Sequence, residues 1–298
     1  MNNANISEDE ISATATGEDA YVVYSAKDKI AEVNKATRTV AYIVYCIAAV
    51  LTGLFVFAQY RRFKIVMYWA IDIVKNRNLI VQLAKNDFKT KYAGSYFGII
   101  WAFVQPIVTI LIYVFVFGLG LKMTPQSTEY PFVLYLIAGI VPWFFFSDAW
   151  VSATNCLIEY SYLVKKMVFK ISILPVVKVI SSLFVHFFFI LLAFIIFTIA
   201  GRMPGVAMIQ IAYYMFCEIC LILALTYFTA SVTPFFRDMT QIINIITQLG
   251  IWLTPIMWDE STMPAWVMYI LRLNPMYYIV AGYRDALINK AWFWENAQ

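Results

Sequence analysis

Six long apolar runs divide the chain: Val40 to Ala58, Phe97 to Leu121, Phe132 to Val151, Ile171 to Ala200, Val206 to Val232 and Thr240 to Met257. A helix rises about 1.5 Å per residue, so a run of about 20 crosses a hydrocarbon core of about 30 Å. The pattern therefore predicts an all-α integral membrane protein with about six transmembrane helices. Between the first two runs the periodicity changes. Asn78, Gln82, Lys85, Asn86 and Lys89 fall on one side of a helix, while Ile80, Leu83, Ala84 and Phe88 fall on the other. This is the signature of an amphipathic helix lying in the membrane interface before the second crossing, with its apolar face toward lipid. Gly94, Ser95 and Gly98 mark its join to that crossing. From Trp258 onward the apolar runs are too short to span and are broken by Pro264 and Pro275. Backbone at that depth has to be shielded by protein, which predicts a re-entrant or interfacial helical cap at the outer face. The chain thus reads as a polar, disordered leader (1–36), a first transmembrane helix (37–60), a cytoplasmic amphipathic segment (61–98), a transmembrane core (99–257) and the cap (258–298).

Charge orients these elements. Only 13% of residues are charged and 62% are hydrophobic, against about 25% charged in a soluble domain. Lys and Arg collect on the cytoplasmic side of membranes. With Arg61 to Lys91, Ser152 to Lys170 and Thr233 to Met239 placed inside, those segments hold 12 Lys and Arg, eight of them in the first. The outer stretches from Lys122 onward, Lys122 included, hold five. The acidic leader then lies outside. No secretory signal is apparent, because the first apolar run has no basic segment ahead of it. Of the four cysteines, Cys46, Cys217 and Cys220 sit in apolar runs and read as small hydrophobes.

The chain carries no constellation for catalysis. There is no GxxxxGKS/T phosphate loop, no HExxH, no acidic Ca²⁺ loop, no set of metal ligands and a single histidine, His186. Ionisable groups inside crossings mark pathways by default. Glu218, close to mid-depth, is the most informative of them, whereas Asp148 and Lys178 read as inner-end groups that reach headgroups. Trp and Tyr collect at membrane interfaces, yet flat aromatic faces also stack on sugar rings. Trp101, Tyr113, Trp143, Phe144 and Trp252, with Glu218, are the candidates for a substrate path.

Four strings occur in order: KYAGSYFGIIWAFVQPI with a run ending in YVFVFG (Lys91 to Gly118), IAGIVPWFFFSDA (Ile137 to Ala149), TPFFRDM (Thr233 to Met239) and LNPMYYIVAGYRDALI (Leu273 to Ile288). Together they resemble the ABC-2 type permeases, in the branch that exports cell-surface polysaccharides such as O-antigen, capsule or teichoic acid, over roughly residues 72–294. The resemblance implies a multi-pass protein of the bacterial cytoplasmic membrane, a homodimer of this chain, two copies of a separate ATP-binding subunit and a lipid-linked polysaccharide as cargo, with no nucleic acid partner. ATP and Mg²⁺ would sit on the partner, so this chain needs no cofactor of its own. The inner surface has to receive force, and the candidates for ATPase coupling are Asp87, Lys89, Lys165, Lys166, Arg237 and Asp238. For the lysines, headgroup contact is an equal reading. The outer gate is expected around Pro275, Tyr283, Arg284 and Asp285. Family members carry a further crossing after this segment, and the 298 residues end before it. The rival readings are a permease for small hydrophobic drugs or lipids, and a membrane scaffold without transport activity.

Overall fold

The computed structural model describes residues 64, 66–125, 129–162, 170–260 and 263–293. It divides into two units. The first ends at Val74 and its described residues 66–74 are helical; the second runs from Lys75 onward and holds every element described below. Among the described residues there is no strand. The leader and the predicted crossing Val40 to Ala58 lie outside the described residues, as do Lys165 and Lys166.

Helix α1 (Arg77–Lys91) is the amphipathic segment. Its apolar face does not point to lipid as the periodicity implied. Ile80 and Ala84 are buried against the third of the long helices, and the Phe88 ring meets Phe184 at 5.6 Å, edge to face. Amphipathicity specifies that one face leaves water, not what covers it. The join that follows uses left-handed backbone at Gly94 (φ +89°) and Gly98 (φ +50°), which a side chain at either position would resist. The Gly98 N–H donates to Ser95 Oγ at 3.0 Å, closing the turn.

From there a 3-10 turn (Gly98–Ile100), helix α2 (Trp101–Tyr113) and a π-helical stretch (Val114–Gly120) run on as one rod. Helix α3 (Phe132–Thr154) follows, then the short α4 (Cys156–Glu159). Helix α5 (Leu174–Ile199) is entered by a 3-10 turn, and α6 (Gln210–Val232) by another at Val206–Ile209. The rods 98–120, 132–154, 171–199 and 206–232 are each long and apolar enough to cross a membrane. They match four of the six predicted crossings almost end for end. The sixth does not reach. Helix α7 (Met239–Leu253) has 15 residues and spans about 22 Å. It stops because Thr254 precedes Pro255 and is extended (φ −93°, ψ 134°), the conformation that a following proline imposes.

Helix α3 is the hub. Of its most apolar stretch 78% is buried within the chain, against 6% for the α2 rod. Helices α5, α6, α7 and the cap helix α9 (Pro275–Arg284) all pack on it. Between apolar helices in lipid the attraction is close packing rather than water exclusion, so small residues at the contacts matter most. A Cβ on Gly282 of α9 would lie 2.1 Å from the Tyr214 ring of α6, and one on Gly250 of α7 would lie 2.7 Å from the Trp143 ring of α3. Polar ties supplement the packing. Thr154 and Thr229 share a hydroxyl hydrogen bond of 2.8 Å between α3 and α6, and Thr240 Oγ1 donates to Asn155 at 2.6 Å where α3 ends and α7 begins.

The cap comprises α8 (Ala265–Leu271), α9 and a π-helical turn, Asp285–Asn289. Asn274 caps α9 by accepting the Met276 N–H at 3.0 Å, and Pro275 takes the first helical position, where its missing N–H costs nothing. The Asn274 amide also donates to Thr254 Oγ1 at 3.0 Å, fixing the cap to the end of α7. Further along, Gln210 clamps the chain after the π-turn: its amide donates to the Ala291 carbonyl at 2.7 Å and its oxygen accepts the Phe293 N–H at 2.7 Å. The bundle therefore has two ends, one built on α1 and one closed by the cap.

Candidate functional site

Between α2, α3, α5 and α7 lies a cavity of about 440 Å³, within the range of about 300–1,000 Å³ typical of small-ligand sites. Each helix offers it one face, read off by spacings of three and four. Helix α2 contributes Trp101, Gln105 and Thr109, and α3 contributes Val141, Phe144, Phe145, Ser147 and Asp148. From α5 come Ser182, His186 and Phe189, and from α7 Asn244, Thr247 and Gln248. Pro106 and Pro142 sit inside α2 and α3. Each removes an i to i−4 hydrogen bond, which leaves a carbonyl available within the bundle.

The polar groups of the wall are fixed by their neighbours. Asp148 Oδ2 accepts from Ser182 Oγ at 2.6 Å, and Asp148 Oδ1 accepts from Lys91 Nζ at 2.5 Å. The inner-end reading of Asp148 as a headgroup contact is thereby replaced: it is an ion-paired wall residue, half exposed toward the cavity. His186 stacks on Phe145 with ring centroids 4.6 Å apart. Its Nε2 lies 3.0 Å from the hydroxyl of Tyr283, so the cap helix is one hydrogen bond from the cavity wall.

Of the expected path residues, Trp101 and Phe144 line this cavity. Trp143 does not; its ring is buried against Gly250. Tyr113 stands beyond the cavity, edge to face with Phe117 at 6.1 Å, and Trp252 is exposed at the far end of α7. Glu218 is fully buried away from the cavity, and neither carboxyl oxygen has a hydrogen-bond partner. Gln105, Asn244 and Gln248 are not among the residues expected from sequence. The signal was present in the fourfold spacing of polar residues within apolar runs: Gln105 and Thr109, Ser182 and His186, Asn244 and Gln248.

The expected gate residues gather in the cap. Tyr283 is buried. The Arg284 guanidinium lies 3.7 Å from the centre of the Tyr135 ring on α3 and donates to the Ile256 carbonyl at 3.0 Å. Asp285 accepts from the Asn289 amide at 2.7 Å, and Pro275 is exposed.

The expected coupling residues divide. Lys89, Arg237 and Asp238 are exposed, the first on α1 and the others on the turn between α6 and α7. Asp87 is buried and faces the bundle instead. Its Oδ1 accepts from Lys178 Nζ and from the Tyr160 hydroxyl, each at 2.7 Å. Lys178 also donates to Glu159. Burial, and then the hydrogen bond to Asp87, holds the Tyr160 phenol well above its ordinary range, so it remains a donor. Lys178, read from sequence as reaching headgroups, is thus a buried ion-pair partner, because an unpaired charge there would be far costlier than a paired one.

Comparison with known proteins adds the lineage. Residues 78–288 match the ABC-2 type transporter family. The chain belongs to that family. As an ABC-2 type transporter chain with several long apolar helices, it is a multi-pass integral membrane protein and the membrane component of a transporter. Curated relatives include the O-antigen export system permease protein RfbA of Myxococcus xanthus, 25% identical over 215 residues that make up 72% of this chain and 81% of that one. Two proteins of the same description from Klebsiella pneumoniae are 27% and 26% identical over 222 residues, 71% of this chain and 81% of each.

Proposed function

We propose that this ABC-2 chain is the permease subunit of a bacterial exporter that moves a lipid-linked cell-surface polysaccharide across the cytoplasmic membrane. It works as a pair, driven by two copies of an ATP-binding partner that supplies ATP and Mg²⁺. The observation that carries the reading is the chemistry of the cavity wall. Hydroxyls (Thr109, Ser147, Ser182, Thr247) and amides (Gln105, Asn244, Gln248) alternate with the faces of Trp101, Phe144 and Phe145. A sugar ring offers the matching surface, a rim of hydroxyls around a flat apolar face. A site for drugs or lipids is predominantly apolar with few polar groups. The O-antigen export relatives point to the same class of cargo. Exposed Lys89, Arg237 and Asp238 are the groups offered to the partner, and Tyr283 to Asp285 form the outer gate above the cavity.

The test is transport by proteoliposomes holding this chain and its ATP-binding partner, alongside a deletion strain. Deletion should strand lipid-linked glycan on the inner leaflet, and the vesicles should move it only with ATP. Gln105→Ala and Asn244→Ala each remove one hydrogen bond, worth about 0.5–1.5 kcal/mol, and should slow export roughly two- to tenfold with ATP hydrolysis retained. ATPase stimulated by amphiphiles without any glycan movement would overturn the reading.

A further inference from the structure

Helix α1 is tied to the bundle at two points one helical turn apart. The first is the Asp87 to Lys178 ion pair at 2.7 Å, with both side chains less than 10% exposed. The second is Asp148 on α3, which receives Lys91 Nζ at 2.5 Å and Ser182 Oγ at 2.6 Å. Asp87 and Lys91 are four apart on α1, and Lys178 and Ser182 are four apart on α5, so the ties lie about 6 Å apart along both helices. One tie would leave a pivot. Two at matched spacing oppose both sliding and rotation of α1 along α5. The first tie is closed on its other sides by Tyr160, which donates to the same Asp87 oxygen, and by Glu159. In consequence Lys178 is held by Asp87 of α1, by Glu159 of α4 and by the Tyr160 ring, whose centre lies 5.3 Å from Nζ, while four and eight residues further along α5 stand the wall residues Ser182 and His186.

We propose that Asp87 and Lys178 are positioning residues that make α1 and α5 move as a single body, so that a push on the exposed face of α1 displaces the α5 wall of the cavity. On this view Asp87 acts through Lys178 within its own chain and does not touch the ATP-binding partner. Lys85 and Lys89, exposed on the opposite face, receive the push. The transport consequence rests on the export reading above, whereas the rigidity of the joint does not.

The test uses the full complex. Neutral replacement of Lys178 alone would strand a buried carboxylate and endanger folding, so the informative variants are the neutral pair Asp87→Asn with Lys178→Met and the charge-keeping Lys178→Arg. Two readouts are taken. Spin labels at Gln82 and Phe187, both exposed, report the separation of α1 and α5 with and without a non-hydrolysable ATP analogue. Glycan moved per ATP hydrolysed reports coupling. In the parent protein the separation should stay fixed through nucleotide binding. In the neutral pair it should broaden, and glycan per ATP should fall at least about fivefold, within the range of energetic coupling between sites, with hydrolysis continuing. Lys178→Arg, which keeps the charge beside Asp87 and Glu159, should retain both. A separation that changes with nucleotide in the parent protein, or a neutral pair that exports at the parental ratio, overturns the proposal. Absence of glycan transport in the parent complex would sink the cargo reading alone, because the label separation needs no cargo.

Discussion

At Gly282 the spacing between two helices is set by a single missing methyl group. The Tyr214 ring that a Cβ would strike is itself buried, so it has nowhere to swing. Gly282→Ala should destabilise the protein by about 1–3 kcal/mol, the usual cost of overpacking, seen as a lower unfolding temperature in detergent. Gly118→Ala, where the nearest atom is an ordinary 3.5 Å away, should leave that temperature nearly unchanged. Cys156 offers a chemical check on burial at the α1 end. It is fully buried, and burial pushes its thiol up to about 12. The thiolate is the reactive form and an exposed cysteine populates it from about pH 8.5. A raised value keeps Cys156 as the thiol, so in a chain with the other three cysteines replaced by serine, maleimide labelling should stay negligible between pH 7 and 9 and appear only on unfolding. An accessible thiol that reacts faster as pH rises through that window would refute the packing of α4.

The elements are largely legible in the sequence, and the reason is that lipid enforces simple rules. The run Val206 to Val232 and the helical rod that forms there have the same limits, because Gly205 and Pro234 punctuate its ends. Helix α7 is shorter than its apolar run, which continues to Met257, because Pro255 ends the helix earlier. What the runs could not disclose was partnership. Trp143 and Trp101 look alike in sequence, yet Gly250 makes room for the first in the core while the second faces the cavity. Asp87 looks like a surface carboxylate among lysines until Lys178, 91 residues later, is brought beside it. Orientation can be checked on the same elements. A single cysteine at Lys89 and one at Arg237 should both label only from the cytoplasmic side, and one at Lys290 only from outside. Labelling of Lys89 and Lys290 from the same face would overturn the two-ended arrangement.

Taken whole, the molecule joins an exposed, positively charged surface on α1 to a polar cavity through rigid links, and the cavity to the cap through His186 and Tyr283. The long helices give this assembly its span, but α7 does not share it. A segment about 22 Å long in a core of about 30 Å leaves a mismatch of several ångströms, and such mismatch is relieved by local thinning of the bilayer at a cost of fractions of a kcal/mol per ångström. The acyl chains therefore become a setting on the machine. Across vesicles of increasing acyl-chain length and one headgroup, with ATP-binding subunit and cargo held constant, turnover should peak between the thickness that matches α7 and that which matches the rods of 23–29 residues. Lengthening α7 by one turn should shift that optimum toward thicker membranes.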